Sequence, residues 1–177
     1  MKHAMEVNLI MAPLNTRLKT AQRIAAAASP VAMALFRKPL SITAKSDDSP
    51  VTIADQNTEK AIRAALEISF PGETIFGEEF GVSGPADAEY QWVIDPIDGT
   101  TNFVRGVPVW ATLIALVHNG LPVLGVVSAP AMGFRWWATS DAAEQCFAGS
   151  PTTAARDCSS THGSLAIDSS NWDAASR

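Results

Sequence analysis

A chain of 177 residues, 47% hydrophobic and 18% charged, has the make-up of a globular protein with one core and room for a further fragment. The formal net charge of -5, without any Lys/Arg cluster, argues against nucleic acid as a partner. No apolar run reaches the length of a membrane span, so a membrane partner is not expected either.

The opening MKHAMEVNLIMAPL is a poor secretion signal, because Glu6 and Asn8 break its apolar patch; Met11 is the expected true start. The spacing of Leu14, Leu18, Ala21, Ala25, Ala28, Ala32 and Leu35 predicts a helix over 14–36, with a kink or early end at Pro30. AKSDDSP (44–50) reads as a polar loop. Thr52 then opens a second helix, where its hydroxyl and Asp55 three residues on form a capping-box-like pair. Ala61, Ile62, Ala65, Leu66 and Ile68 supply its predicted buried face, and FPGE (70–73) ends it.

TIFG (74–77) and YQWVID (90–95) read as strands. VPVWATLIALVH (107–118) is apolar on both alternating faces, which predicts a strand covered on both sides. Asn119-Gly120 is a type I′ hairpin signal, with LPVLGVVSA (121–129) as the returning strand and FRWWAT (134–139) as another. The expected class is α+β, an antiparallel sheet with packed helices. There is no GxGxxG or GxxxxGK[ST] pattern. From Ala148 to Arg177 the chain is rich in Ser, Thr and Ala and could not build a core unaided. The expected division is therefore a unit over 1–147 and a disordered or aberrant tail over 148–177. Cys146 and Cys158 form no metal spacing, His3, His118 and His162 are scattered, and a reduced cytoplasmic setting is the default.

Acidic residues gather at three junctions: Asp55 after VTIA, Glu78 and Glu79 in FGEEFG, and Asp95 with Asp98 in DPIDGTTN. Carboxylates together with a backbone carbonyl are the ligands that hard cations such as Mg²⁺ prefer. Asp95 is expected at a strand end. Pro96 stiffens the turn, Asp98 returns to the same side, and the Ile97 carbonyl is left to face an ion. Gly99 allows close backbone approach. If TTNFV opens a helix, the Gly99 and Thr100 amides form an anion site suited to phosphate. A cation site fused to an anion site suits metal-assisted phosphoester hydrolysis. Each feature also has a plainer explanation. Asp95 and Asp98 could form a solvated turn, Glu78 and Glu79 a surface loop, and Asp55 a helix cap alone. Lys45 could be a solvated loop lysine. Trp110, Trp136 and Trp137 read as core or dimer contacts, and His118 as an exposed, inert hairpin residue.

GEE (77–79), WVIDPIDGTTNF (92–103) and the upstream VTIAD (51–55), in their order and spacing, resemble the inositol monophosphatase superfamily over roughly 14–147. FVRGVPVWATLIAL (103–116) and GVVSAPAMGFRWWA (125–138) look most like its histidinol-phosphate phosphatase branch. The resemblance implies the N-terminal part of a layered α/β/α/β/α sandwich and about two or three Mg²⁺ ions, with Mn²⁺ as a substitute. It implies that Glu78, Asp95 and the Ile97 carbonyl hold the first ion. Asp95 bridges to a second, which Asp98 also binds, and Glu78 touches a weaker third. Thr100 and Glu78 would orient and activate the attacking water, with Asp55 supporting Thr100. The Gly99 and Thr100 amides would hold the phosphate. Lys45 matches a loop lysine near the metals. Attack would be in line on phosphorus without a phospho-enzyme. The implied substrate is a small phosphomonoester: histidinol phosphate in histidine biosynthesis, or else inositol 1-phosphate or a related sugar or nucleotide phosphate. A homodimer is implied as well.

The chain departs from that pattern near its end. The family carries a further metal-ligating aspartate in a WD-x-A motif, and Trp172 and Asp173 in NWDAAS come far too soon after Asp98. The expectation is a truncated or frameshifted product, with Asp173 a chance match or relic and an uncovered sheet edge and face. A reading of another class is a catalytically dead fragment that binds metal and phosphate, or only pairs with another subunit.

Overall fold

The computed structural model describes residues 2–40, 42–44, 50–140 and 142–147, with side chains described over 14–40 and 51–140. Lys45 and the stretch 148–177, with Trp172 and Asp173, lie outside the described residues.

Helix α1 runs from Lys2 to Met33, so it begins well before Leu14. Pro30 does not end it. A proline removes one amide and disturbs the carbonyl four residues back, and only three further residues follow before the chain unwinds through Ala34 N–H to Pro30 O at 3.0 Å. The small residues Ala21, Ala25, Ala28 and Ala32 are almost wholly buried and let α1 lie close to its neighbours. Strands β1 (Ile42–Ala44) and β2 (Pro50–Thr52) pair antiparallel at either end of the stretch that reads as a loop.

Helix α2 spans Ile53–Ser69 and opens with the predicted capping box: Ala54 N–H donates to Thr52 Oγ1 at 3.1 Å, and Thr52 N–H to Asp55 Oδ2 at 2.8 Å. Its buried face is rotated from the predicted one. Ile68 is 83% exposed, whereas Asp55, Thr58, Glu59 and Arg63 are buried beside Ile62 and Leu66. Charged groups can occupy a core-facing stripe when they are mutually bonded, and Arg63 Nε donates to Glu59 Oε1 at 2.8 Å.

The main sheet contains β3 (Thr74–Gly77), β4 (Gly81–Ser83), β5 (Tyr90–Asp98), β6 (Ala111–His118), β7 (Leu121–Ala129), β8 (Phe134–Thr139) and β9 (Ala142–Phe147), in the order β4-β3-β5-β6-β7-β8-β9. The expected α+β class stands, but the sheet is mixed. β3 and β5 run parallel, with Ile75 opposite Trp92, and the other neighbours are antiparallel. The cause is β4, which forms a hairpin outward to the edge, so that the chain re-enters beside β3 in its own direction. Helices α1 and α2 cover one face. Trp92, Ile94, Ile114, Leu116, Leu124 and Val126 pack there against Ala25, Ile62 and Leu66. On the opposite face Val93, Leu113, Ala115 and Val127 are only half-buried, so β6 is not covered equally on both sides.

Arg17 fastens α1 to this sheet. Its guanidinium lies 2.6 Å from Glu73 and 3.9 Å from the centre of the Tyr90 ring, while Trp92 Nε1 donates to Glu73 at 2.7 Å. Asn119 and Gly120 both have positive φ (51° and 78°), as a type I′ turn demands. His118 before them is neither fully exposed nor idle, since it bonds Glu89 at 2.7 Å and stacks on Tyr90. Among the described residues no helix is long and apolar enough to cross a membrane.

Candidate active site

The acidic motifs meet where β5 ends. This strand continues through Asp95 to Asp98, with Asp95 opposite Leu113, Asp98 opposite Ala111, and a bulge between. In a regular strand, residues three apart face opposite sides. One extra residue restores Asp98 to the side of Asp95. Thr112 Oγ1 donates to the Pro96 carbonyl at 2.8 Å, giving a partner to a backbone group inside the bulge.

Gly99 follows in the left-handed region, at φ 84° and ψ 39°. A Cβ there would sit 3.3 Å from the Val109 carbonyl and strain the backbone. Helix α3 then spans Thr100–Val104, over the TTNFV stretch. Asn102 and Phe103 amides donate to Gly99 O at 2.9 and 3.0 Å. Phe103 is buried against Phe36 and Trp110, above Ala54 and Ile97, and this small core anchors the turn. Trp110 is thus a core residue, and Trp137 packs on the main core. Trp136 is half-buried and stacks on Phe134. With Asp98, Gly99, Asn102 and Met132 it lines a cleft of about 340 Å³ beside the acidic cluster.

Asp55, 1% exposed, accepts from Thr52 N–H at 2.8 Å and Thr52 Oγ1 at 2.6 Å through one oxygen. Its other oxygen is 3.1 Å from Thr100 Oγ1, which also lies 3.0 Å from the Ile97 carbonyl. One carboxylate therefore both caps α2 and touches the first residue of α3. Ile97 itself is buried, and its carbonyl and Asp55 Oδ1 compete for the single Thr100 hydroxyl proton.

Glu78 is exposed, yet its amide donates to Ile94 O at 3.2 Å, which brings it alongside Asp95. Burial, first, then the Glu78 charge, a hydrogen bond with Glu78 and the Asp98 charge push the Asp95 carboxyl up to about 8; the Ile97 amide acts in the opposite sense. Asp95 Oδ1 is buried without a hydrogen-bond partner. A buried carboxylate oxygen left bare between like charges favours either a proton or a cation. The donors suit a hard cation in kind. Among the described residues, however, no three His, Cys, Asp or Glu side chains converge to hold a metal ion. Asp95 and Glu78 are in contact, while Asp98 is exposed at the rim.

Sequence reasoning did not single out Glu59, which is wholly buried and accepts from the Glu79 amide at 2.7 Å, or its partner Arg63. The legible signal was an i,i+4 Glu–Arg pair on a predicted helix.

A mixed sheet backed by two helices, with carboxylates on a bulged strand end leading into a short helix, defines an α+β protein whose acidic groups suit a hard cation in kind. The chain belongs to the inositol monophosphatase family, whose sequence pattern matches residues 14–176, including most of the tail. That family is generally metal-dependent. The chain is 56% identical over 99 residues to a histidinol-phosphatase of Mycobacterium tuberculosis, covering 56% of this chain and 38% of that protein. It is 49% identical over 129 residues to a histidinol-phosphatase of Streptomyces coelicolor, covering 70% and 48%. A solved inositol monophosphatase from Zymomonas mobilis superimposes with a TM-score of 0.63 at 42% identity, covering 75% of this chain and 51% of that one. The chain thus spans less than half the length of these two curated relatives and about half of the solved one.

Proposed function

We propose that this chain carries the metal- and phosphate-binding part of a Mg²⁺-dependent phosphomonoesterase acting on histidinol phosphate. The observation that carries the reading is Asp95 Oδ1, buried and bare, with Glu78 and Asp98 as acidic neighbours and the Gly99-Thr100 turn beside it. Identity of 49–56% to proteins named histidinol-phosphatase supports the substrate.

Glu78, Asp95, Asp98 and the Ile97 carbonyl are the groups assigned to Mg²⁺, with Mn²⁺ as a substitute. Glu78 is hydrogen-bonded to Asp95, and Asp98 stands at the exposed rim beside them. When bound, the cation supplies charge screening on the phosphoryl group and a more acidic water. The Gly99 and Thr100 amides are assigned to the phosphoryl oxygens. Thr100 Oγ1, donating to Asp55 Oδ1, keeps its lone pairs for the attacking water and orients it with Glu78. As the water oxygen bonds to phosphorus, its proton passes toward Thr100 and the Asp55 or Glu78 carboxylate. The ester P–O bond breaks, and the departing alcohol oxygen takes up a proton from a solvent water, which the proton released by the attacking water replaces. We assign this work to residues 1–147.

Phosphate release from histidinol phosphate and from inositol 1-phosphate, with Asp95→Asn as control, tests the assignment. Faster release from histidinol phosphate, lost in the variant, supports it, and a preference for inositol 1-phosphate moves the chain to the sister branch. That no three acidic side chains converge on one point among the described residues favours a second reading: a non-catalytic chain that binds metal and phosphate weakly or only pairs with a partner subunit. Turnover by the purified 177-residue chain would refute that one.

A further inference from the structure

Glu59 is an acid with no direct place in the chemistry, yet it is wholly buried and accepts from one side chain and two backbone amides. Arg63 Nε donates to its Oε1 at 2.8 Å, the Glu79 amide to Oε2 at 2.7 Å, and the Phe80 amide to Oε1 at 3.2 Å. Arg63 reaches further along the same turn, donating through Nη1 to Ser83 Oγ at 2.8 Å and through Nη2 to the Gly81 carbonyl. Gly77 is the residue this packing requires, since a Cβ there would lie 1.9 Å from Glu59 Oε1 and 2.7 Å from Arg63 Nη2.

The turn from Gly77 to Ser83 is therefore laid over two charged side chains of α2. Glu78 sits inside it, one residue before the first amide that Glu59 holds. Asp55, Glu59 and Arg63 follow one another at i, i+4 and i+8 on the buried face of that helix. One rigid helix thus fixes both flanks of Asp95: Asp55 touches Thr100 on one side, and Glu59 carries the Glu78 turn on the other.

We propose that Glu59 and Arg63 are positioning residues that hold the Glu78 carboxylate against Asp95 and so set the affinity of the site for divalent ions. The inference rests on the assignment of Glu78 to the cation. Groups that orient a ligand through its backbone are felt in metal affinity even though they never touch the ion.

The test measures Mn²⁺ affinity of the 177-residue chain by calorimetry, and amide hydrogen exchange at Glu79 and Phe80 in the metal-free chain. The proteins are wild type, Glu59→Gln, Glu78→Ala, the double variant, and Ile62→Val as a packing control. The expected result is a Kd raised about 10–100-fold in Glu59→Gln, little further change when Glu59→Gln is added to Glu78→Ala, and no change in Ile62→Val. The two amides lose protection in Glu59→Gln beyond any global loss. A folded Glu59→Gln that binds Mn²⁺ like wild type, or that weakens binding equally with and without Glu78, overturns the proposal. If Glu59→Gln does not fold, Arg63→Lys is judged by the same criteria, because it keeps the charge but loses the fork to Ser83 and Gly81. If wild type binds no Mn²⁺, the cation assignment falls, and exchange alone decides: retained protection at Glu79 and Phe80 overturns the positioning role, and lost protection supports it.

Discussion

Thr100 Oγ1 lies 3.1 Å from Asp55 Oδ1, across 45 residues of sequence, so the start of α2 and the start of α3 share one hydrogen bond. The two partners are not equivalent. Thr100→Ala removes the proposed water-orienting hydroxyl while α2 keeps its cap. It is expected to slow phosphate release by about 10²–10⁴-fold, the range for a positioned proton-transfer group, and to cost about 1–3 kcal/mol of stability, because the buried Asp55 Oδ1 loses its donor. Asp55→Ala also strands the buried Thr52 N–H, so it is expected to cost about 1–3 kcal/mol in urea unfolding as well as activity.

Asp95 gives a pH dependence whose sign is fixed by its surroundings. In the metal-free chain its carboxyl holds a proton up to about 8, against 3.8 ordinarily. Between those values the native state binds more protons than the unfolded state, so this group's contribution to stability is complete below 3.8, falls as pH rises to about 8, and is flat above. Asp95→Asn cannot ionise and is expected to abolish that slope in melting temperatures recorded across the range. A divalent ion must displace the same proton, so Mn²⁺ affinity of wild type is expected to rise with pH over this window.

Gly99 is a third point of test. Its positive φ and the 3.3 Å approach to Val109 O mean that Gly99→Ala must move the turn that leads into α3. The backbone strain is about 1–2 kcal/mol, and KM is expected to rise because the displaced amides are the ones assigned to the phosphoryl group. Steady-state kinetics beside a thermal melt separates the two effects.

Glu73 serves as the remote control. Glu73→Ala leaves Trp92 Nε1 and Arg17 without their shared acceptor, at a cost of about 1–3 kcal/mol. Denaturant titration should show that loss, and phosphate release from the folded fraction should be unchanged, since Glu73 precedes β3 and bonds Arg17 and Trp92 at the opposite end of that strand from Glu78.

Much of this architecture was legible in the residues. Thr52 and Asp55 form the capping box that their spacing predicts, TTNFV is α3, and Asn119-Gly120 turns the hairpin between β6 and β7. These are local signals, set by side chains a few positions apart. What failed was tertiary. Hydrophobic periodicity placed Ile68 in the core and passed over Glu59 and Arg63, because it cannot register that two charges become buriable once they bond each other and a turn 20 residues away. Strand β4 and the parallel β3–β5 pair escaped for a related reason: three residues, Gly81–Ser83, carry no period, and their place is fixed by pairing with β3. Of the candidate site, the acids and the turn were legible as a set. The bulge that returns Asp98 to the side of Asp95, and the contact between Asp95 and Glu78, depend on the register of β5 against β6 and on the path of the Gly77–Ser83 turn.

The central claim is that Glu78, Asp95 and Asp98 hold a divalent ion beside a phosphoryl site at Gly99 and Thr100. Phosphate release from histidinol phosphate by the 177-residue chain, stripped with EDTA and then titrated with Mg²⁺, tests it most directly. The account predicts no release in EDTA, saturable recovery with Mg²⁺, and no recovery in Asp95→Asn. Release that survives EDTA, or that Asp95→Asn leaves undiminished, would contradict it.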